Sequence, residues 1–261
     1  MAIVTGAGRG IGRQIALDLA AAGARVGLIA RTESQLDEVA SAIEAAGGTA
    51  LAAPADVTDR SALEAAICRV EGRLGPITLA VNNAAGDRPF GPVGVVDPDE
   101  WWQAQELHVR AAYIVMHKVI PPMRRLGRGR IINVASNGGM LVARNASAYC
   151  VGKATLIRLT EHVHAEIAPD GLAAFAVHPG TIMTEMGMAA LDDPEARRWV
   201  GPLVDYLDTF RDVDTTPELH RVGRQVVELA GGRFDVLAGR YLDLENPLEG
   251  QLRKALEQTG V

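Results

Sequence analysis

Tyr149 and Lys153 are the two residues whose types and spacing can do chemistry together. They fall in a run, 147–167, where Leu156, Thr160, Val163 and Ile167 recur at helical spacing and Pro169 and Gly171 end the pattern. Side chains four apart share a helix face, with Cβ atoms about 5–6 Å apart. A phenol ordinarily titrates near pH ~10, too high for proton exchange at neutrality. A fixed ammonium about 5 Å away, at an effective dielectric of about 20, favours the phenolate by about 3 kcal/mol, or about two pKa units. The pair can therefore serve as a general acid and base near neutral pH. The plain alternative is a solvated lysine beside a half-buried tyrosine, and spacing alone does not separate the two. Only three of the 26 basic residues are lysines, which makes Lys153 harder to dismiss as incidental.

The elements that must hold such a pair follow from the rest of the chain. At 261 residues, 48% hydrophobic and 22% charged, it can bury the core of one large α/β domain or of two small ones. A net charge of −6 with both signs spread along the chain argues against a nucleic-acid partner. Cys68 and Cys150 are too few for a disulfide scaffold and suit a reducing cytosol, so a cytoplasmic location is expected. The opening residues show no basic leader, and no apolar run approaches the ~18 residues of a membrane span.

Ala2 to Thr5 reads as a short apolar strand. The string Thr5-Gly6-Ala7-Gly8-Arg9-Gly10-Ile11-Gly12 follows at once, and then a helix with Ile11, Ile15 and Leu19 on one face. Glycines between a strand and a helix let backbone approach a phosphate, and the helix N-terminus offers free N–H groups; a plain tight turn is the rival reading. Strand two, Arg25 to Ala30, should end in an acid that holds the adenine ribose of a dinucleotide. Ala30 stands there instead, followed by Arg31 and Thr32. A missing carboxylate with an arriving guanidinium suits a 2′-phosphate, so NADP(H) is expected over NAD, with Arg9 as a second positive charge. Further along, helices are predicted over 34–46, 59–74 (with a Ser61/Glu64 capping box), 98–121 and 147–167, and strands over 49–53, 77–81, 130–135, 172–178 and 240–244. Strict alternation predicts a doubly wound parallel sheet with helices on both faces, in a single dinucleotide-binding domain. Gly6, Arg31, Asp56, Asn83, Ser136 and Pro179 then lie at strand C-terminal ends and converge on one crevice.

With those residues in view, the chain resembles the short-chain dehydrogenase/reductase family over nearly its whole length. The resemblance rests on Thr5-Gly6-x-x-x-Gly10-x-Gly12, Asn82-Asn83-Ala84-Ala85-Gly86, Ser136, Tyr149-x-x-x-Lys153 and Pro179-Gly180-x-x-x-Thr184. It implies that Asp56 and Val57 contact adenine and that Asn83 and Ala84 line the cofactor. It implies that Ile182 and Thr184 hold the nicotinamide carboxamide, that Lys153 also bonds the nicotinamide ribose, and that Ser136 positions the substrate oxygen. Three places depart from the pattern. Ala85 is an extra alanine that looks like the dienoyl-CoA reductases, which lack the tyrosine present here as Tyr149. Glu245-Asn246-Pro247 replaces the usual Asp-Gly-Gly and leads into a tail, 246–261, with a short charged helix; this tail can cover the pocket, reach a neighbour, or fray. His108 aligns with the family's catalytic asparagine.

The expected activity is carbonyl/alcohol interconversion with NADP(H), using Tyr149 as proton carrier, Lys153 to tune it, Ser136 to hold the oxygen and His108 in the asparagine's proton relay. An enoyl reductase, a lyase or epimerase with transient redox, and a non-catalytic NADP-binding sensor are the rivals. No residue is assigned to a metal. The segment 183–215, rich in Met186, Met188, Leu191, Trp199, Leu203, Tyr206, Leu207 and Phe210, is expected to form a lid over a bulky, largely apolar substrate, unless these residues only pack a helical cap. The resemblance also implies a homodimer or homotetramer built on the helices around 101–118 and 147–167.

Overall fold

The structure is a computed structural model that describes residues 1–259. Its described strands are β1 (Ala2–Thr5), β2 (Arg25–Ile29), β3 (Thr49–Ala52), β4 (Leu79–Asn82), β5 (Gly129–Val134), β6 (Leu172–His178) and β7 (Tyr241–Asp243). They form one parallel sheet in the order β3-β2-β1-β4-β5-β6-β7. The chain winds outward from β1 through β2 and β3, then crosses back to β4 and winds the other way. That reversal opens a crevice at the C-terminal ends of β1 and β4. The doubly wound sheet expected from the sequence is therefore the one found.

The strands are apolar along their whole length because both faces are covered. Successive residues of one strand enter opposite cores. Val4, Leu28, Ile132 and Phe175 join the side chains of α1 (Gly10–Ala21), α2 (Glu33–Ala45) and α9 (Thr216–Ala230). Ile3, Ile29, Ile131 and Ala174 join those of α3 (Arg60–Leu74), α5 (Ala111–Leu126) and α6 (Ser147–Ile167). Helix α9 lies outside the expected elements, although Leu219, Val222, Val226 and Leu229 carry its apolar stripe.

Three local expectations are corrected. Asp59 caps α3 by accepting the Ala62 N–H at 3.0 Å, while Glu64 pairs with Arg60 at 2.7 Å, so no Ser61/Glu64 capping box forms. The helix expected to stop at Pro121 runs on to Leu126, with Pro121 and Pro122 inside it, and Gly127 at φ 61° ends it. The carbonyls that the prolines leave without N–H partners belong to His117 and Lys118, two residues that line an open polar groove. Lastly, the long helix is not uniform: α4 (Pro98–Gln105) passes into one π-helical turn, Glu106–Arg110, before α5 begins.

One buried polar ladder fixes the elements that carry the site. Asn82 at the end of β4 donates to Asn133 Oδ1 at 2.8 Å, Asn133 donates to Thr160 Oγ1 at 2.8 Å, and Thr160 donates to the Leu156 carbonyl at 2.7 Å. Asn133 and Thr160 have no exposed surface. Replacing Asn133 by Val would strand the Asn82 amide, whose Oδ1 already lacks a partner. Asn133→Val should cost about 3 kcal/mol in urea unfolding, and Thr160→Val about 1 kcal/mol. A loss under about 1 kcal/mol for Asn133→Val would leave the ladder without structural weight.

Candidate active site

The glycine turn between β1 and α1 is built for close approach. Gly6 and Gly10 hold φ of 65° and 54°, conformations that side chains disfavour, and a Cβ at Gly12 would run into the carbonyl oxygen of Gly6. Asn83 braces the turn from the end of β4: its Nδ2 donates to the Thr5 and Gly6 carbonyls at 3.0 and 3.3 Å. The Thr5 hydroxyl in turn accepts the N–H groups of Asn83 and Ala84. Arg9, the N-cap of α1, gives no side-chain cap, and no acid stands in the first turn, so the N–H groups of α1 face the crevice unopposed. These features fit a pyrophosphate.

The surrounding residues divide. Arg31 is exposed just past β2 and acts on Asp56. Burial opposes ionisation of Asp56, but hydrogen bonds from the Thr58 backbone and hydroxyl, with the Arg31 charge, outweigh it and hold the pKa below the usual value. Thr32 is the N-cap of α2 and makes no side-chain cap bond, with Glu33 in that helix's first turn, and Val57 is buried beside the crevice. Gln35, unremarked in the sequence, lies over Gly8 next to the methyl of Ala30. Arg9 is not aimed at the end of β2 as expected: it pairs with Glu185 at 2.6 Å, at the start of α7 (Glu185–Leu191). Past β6, Pro179 and Gly180 turn the chain, Ile182 enters the core, and Thr184 sets its methyl against Gly10.

Ser136, Tyr149, Lys153 and His108 come together where β5, α6 and the π-helical turn meet. Ser136 follows β5 and accepts the Gly138 N–H at 3.1 Å, with Tyr149 beside it. Lys153 is 3% exposed, and its Nζ donates to the Val134 carbonyl at 2.8 Å, 5.8 Å from the centre of the Tyr149 ring. Burial pushes its pKa down to about 8. The expected lowering of the Tyr149 pKa is not what the site shows: burial raises it, and the Ser136 hydroxyl only partly offsets that. The ammonium is held toward the strand backbone, and desolvation of the phenolate decides the direction.

His108 is 2% exposed on the π-helical turn and meets the Tyr149 ring edge-on at 5.5 Å. Gly152 makes this possible, since a Cβ there would lie 2.9 Å from the His108 Cβ. The Gly86 carbonyl lies close enough to ease protonation of the ring, but neither ring nitrogen makes a hydrogen bond of good geometry. A cavity of about 10 Å³, close to the volume for one water, adjoins it between Thr5, Asn82 and Leu156. Burial, and then the Lys153 charge, push the His108 pKa down to about 3. The ring is therefore neutral throughout the physiological range, and the expectation that it titrates near neutrality is corrected.

The apolar segment after Thr184 forms α7 and α8 (Pro194–Asp208), the latter bent at Val200 two residues before Pro202. Leu191, Ala196, Val200 and Val204 pack on Phe90 and Ala146, with Trp199 and Leu207 at the margin. Arg88 pairs with Asp193, and Asn145 donates to the Trp199 carbonyl at 2.8 Å, so this cap is tied to the loops around the crevice. Met188, Leu203 and Tyr206 stay exposed. Within the tail, α10 (Leu248–Thr259) buries Leu248 and Ala255 against the core, and positions 260 and 261 lie outside the described residues. His178, Asp243 and Glu245 group at the ends of β6 and β7. The Asn137 N–H donates to His178 Nδ1, which puts the ring proton on Nε2, the nitrogen facing Glu245, and leaves no lone pair there for a metal.

Comparison with known proteins settles the class. The family model for short chain dehydrogenases matches residues 1–195, and the chain belongs to that family of oxidoreductases. The short chain dehydrogenase mpl6 of Monascus purpureus is 34% identical over 246 residues, 92% of this chain and 78% of that protein. Gluconate 5-dehydrogenase of Gluconobacter oxydans is 33% identical over 199 residues, 76% of this chain and 77% of that one. The crystal structure of a variant actinorhodin polyketide ketoreductase with NADPH superposes with a TM-score of 0.77 at 27% identity, covering 93% of this chain and 94% of the other.

A neutral buried His108 has a stability signature. Its folded pKa of about 3 lies below the unfolded value of ~6.5, so its contribution is complete above pH ~6.5 and is lost as the pH falls toward 3. Between pH 7 and 4 the wild-type chain should lose about 3 kcal/mol more in urea unfolding than His108→Asn does. Equal losses would mean that the ring protonates freely in the folded state.

Proposed function

We propose that this chain is an NADP(H)-dependent oxidoreductase that interconverts a carbonyl and an alcohol. The carrying observation is the meeting of Ser136, Tyr149 and Lys153 at one strand edge beside the glycine turn. A bound nicotinamide would supply or accept the hydride, which is the cofactor's own chemistry. Ser136 holds the substrate oxygen by its hydroxyl. The Tyr149 phenol, kept protonated by burial, gives its proton to that oxygen as negative charge develops there. Lys153 steadies the phenolate left behind. His108, a neutral donor and acceptor next to a water-sized cavity, replaces the family asparagine in returning the proton. Arg31 and the absence of an acid at Ala30 support the 2′-phosphate of NADP, and the NADPH carried by the similar ketoreductase agrees.

The cap of α7 and α8 supports a bulky, largely apolar substrate, and the unpaired cysteines suit a reducing compartment. Among the described residues no helix is long and apolar enough to cross a membrane. Exposed Trp102, Tyr113 and Val151 on α4, α5 and α6 support a homodimer or homotetramer through these helices. Light scattering at micromolar concentration should show an oligomer; a monomer overturns this.

Mixed anaerobically with NADPH and a panel of ketones and enones, the chain should oxidise NADPH with ketones. Oxidation with the enones alone would favour the enoyl reductase, and cofactor binding without turnover the sensor. Arg31→Ala should raise the Kd for NADP at least about tenfold while changing that for NAD by less than about threefold, the effect of losing one charged hydrogen bond. Equal changes would overturn the 2′-phosphate assignment.

A further inference from the structure

His178, at the end of β6, is 6% exposed and has no part in the proton path. A buried imidazole is costly unless its polar atoms are engaged. Its Nδ1 accepts the Asn137 N–H at 3.3 Å, and its Nε2 faces the Glu245 carboxylate at 3.8 Å. Asn137 directly follows Ser136 and is held a second time. The Tyr241 hydroxyl, from β7, donates to Asn137 Oδ1 at 2.7 Å. The Tyr241 ring is itself fixed by packing on Ala135, Ile157 and Ala176. Strands β6 and β7 thus each grip one atom of Asn137.

The grip acts on the residues that set Ser136 against Tyr149. Asn137–Gly139 form one tight helical turn, and the Gly138 N–H donates to Ser136 Oγ at 3.1 Å. Gly138 lies against the Tyr149 ring and Gly139 against the Lys153 backbone. A Cβ would fall 2.9 Å from Tyr149 Cε1 at the first and 2.7 Å from the Lys153 carbonyl carbon at the second. Such close approach calls for glycine, and two glycines in succession do not hold a turn in shape by themselves. The restraint comes from outside the turn, through Asn137. Its accuracy matters, because a misplacement of about 1 Å in a reacting site can cost about 100-fold in rate.

We propose that His178 and Tyr241 are positioning residues for Ser136, acting through Asn137, which they hold by its N–H and its side-chain oxygen. This rests on the carbonyl/alcohol reading. Tyr241 stands beyond the residues 1–195 that the family model matches, so the clamp draws on a part of the chain outside it.

NADPH oxidation with 2-butanone, cyclohexanone and acetophenone tests the clamp, using whichever ketone is turned over fastest. Tyr241→Phe keeps the ring on its cluster and removes only the hydroxyl. Its kcat should fall about tenfold, while the ketone KM and the Kd for NADPH change by less than about threefold. Asn137→Ala should fall at least as far. Adding Tyr241→Phe to it should cost less than about twofold more, because the hydroxyl then has no partner to lose. His178→Leu should also lose about tenfold in kcat, whereas His178→Asn, which still offers an acceptor near the place of Nδ1, should recover most of it. A merely structural role would lower stability without confining the loss to kcat. A Tyr241→Phe kcat within about twofold of wild type, losses that multiply in the double variant, or no recovery in His178→Asn overturns the clamp and leaves the carbonyl reading standing. Absence of NADPH oxidation with all three ketones overturns both.

Discussion

A strand covered on both faces can place a polar side chain only at its end, or beside a partner that satisfies it. That constraint organises the molecule. Within β4 and β5 the buried polar residues are Asn82 and Asn133, and they bond each other. The polar groups that the strands themselves bring to the crevice stand at a strand C-terminus or just beyond: the Thr5 hydroxyl, Ser136, His178 and the loop after Asn82. Parallel strands with right-handed crossovers bring those ends to one edge, so the apolar strand interiors leave a single edge for chemistry.

Burial also sets the electrical state of that edge. Tyr149 is driven toward its protonated phenol, and Lys153 and His108 toward their neutral bases. Each shift moves the group away from charge, for the common reason that little water reaches it. The Tyr149–Lys153 pair read from the sequence considered attraction without desolvation. Four-residue spacing determines that the two share a helix face; it does not say that the ammonium will find the Val134 carbonyl or how much solvent the phenol keeps.

The legible parts of the fold were those carried by local pattern. Two-sided apolar strands, a glycine turn between strand and helix, and Tyr149 and Lys153 on one helix all follow from spacing over a few residues. What escaped was decided at long range. Arg9 meets a carboxylate 176 positions away, and the tail finds its place beside α9. The π-helical turn that presents His108 has no spacing signature of its own, and Pro121 ends no helix when the freed carbonyls face solvent. Asp59 beat Ser61 as cap because the turn begins two residues earlier than the capping pattern suggests. The stripe of α9 is readable in the sequence; Gln35 at Gly8 is not, since it depends on how α2 docks over the turn.

The alternation of neighbouring strand residues between two cores bears on how the molecule comes apart. Val4 belongs to one core and Ile3 to the other; Ile132 and Ile131, and Phe175 and Ala174, divide in the same way. Neither layer of helices can peel off intact while the sheet persists, because removing one exposes half of every central strand to water. The two cores thus melt as one cooperative unit, and the amides of the inner strands, shared by both cores and flanked on each side by another strand, are the last to exchange with solvent. The exposed cap of α7 and α8, resting on a third and separate cluster, belongs to neither and opens at lower cost.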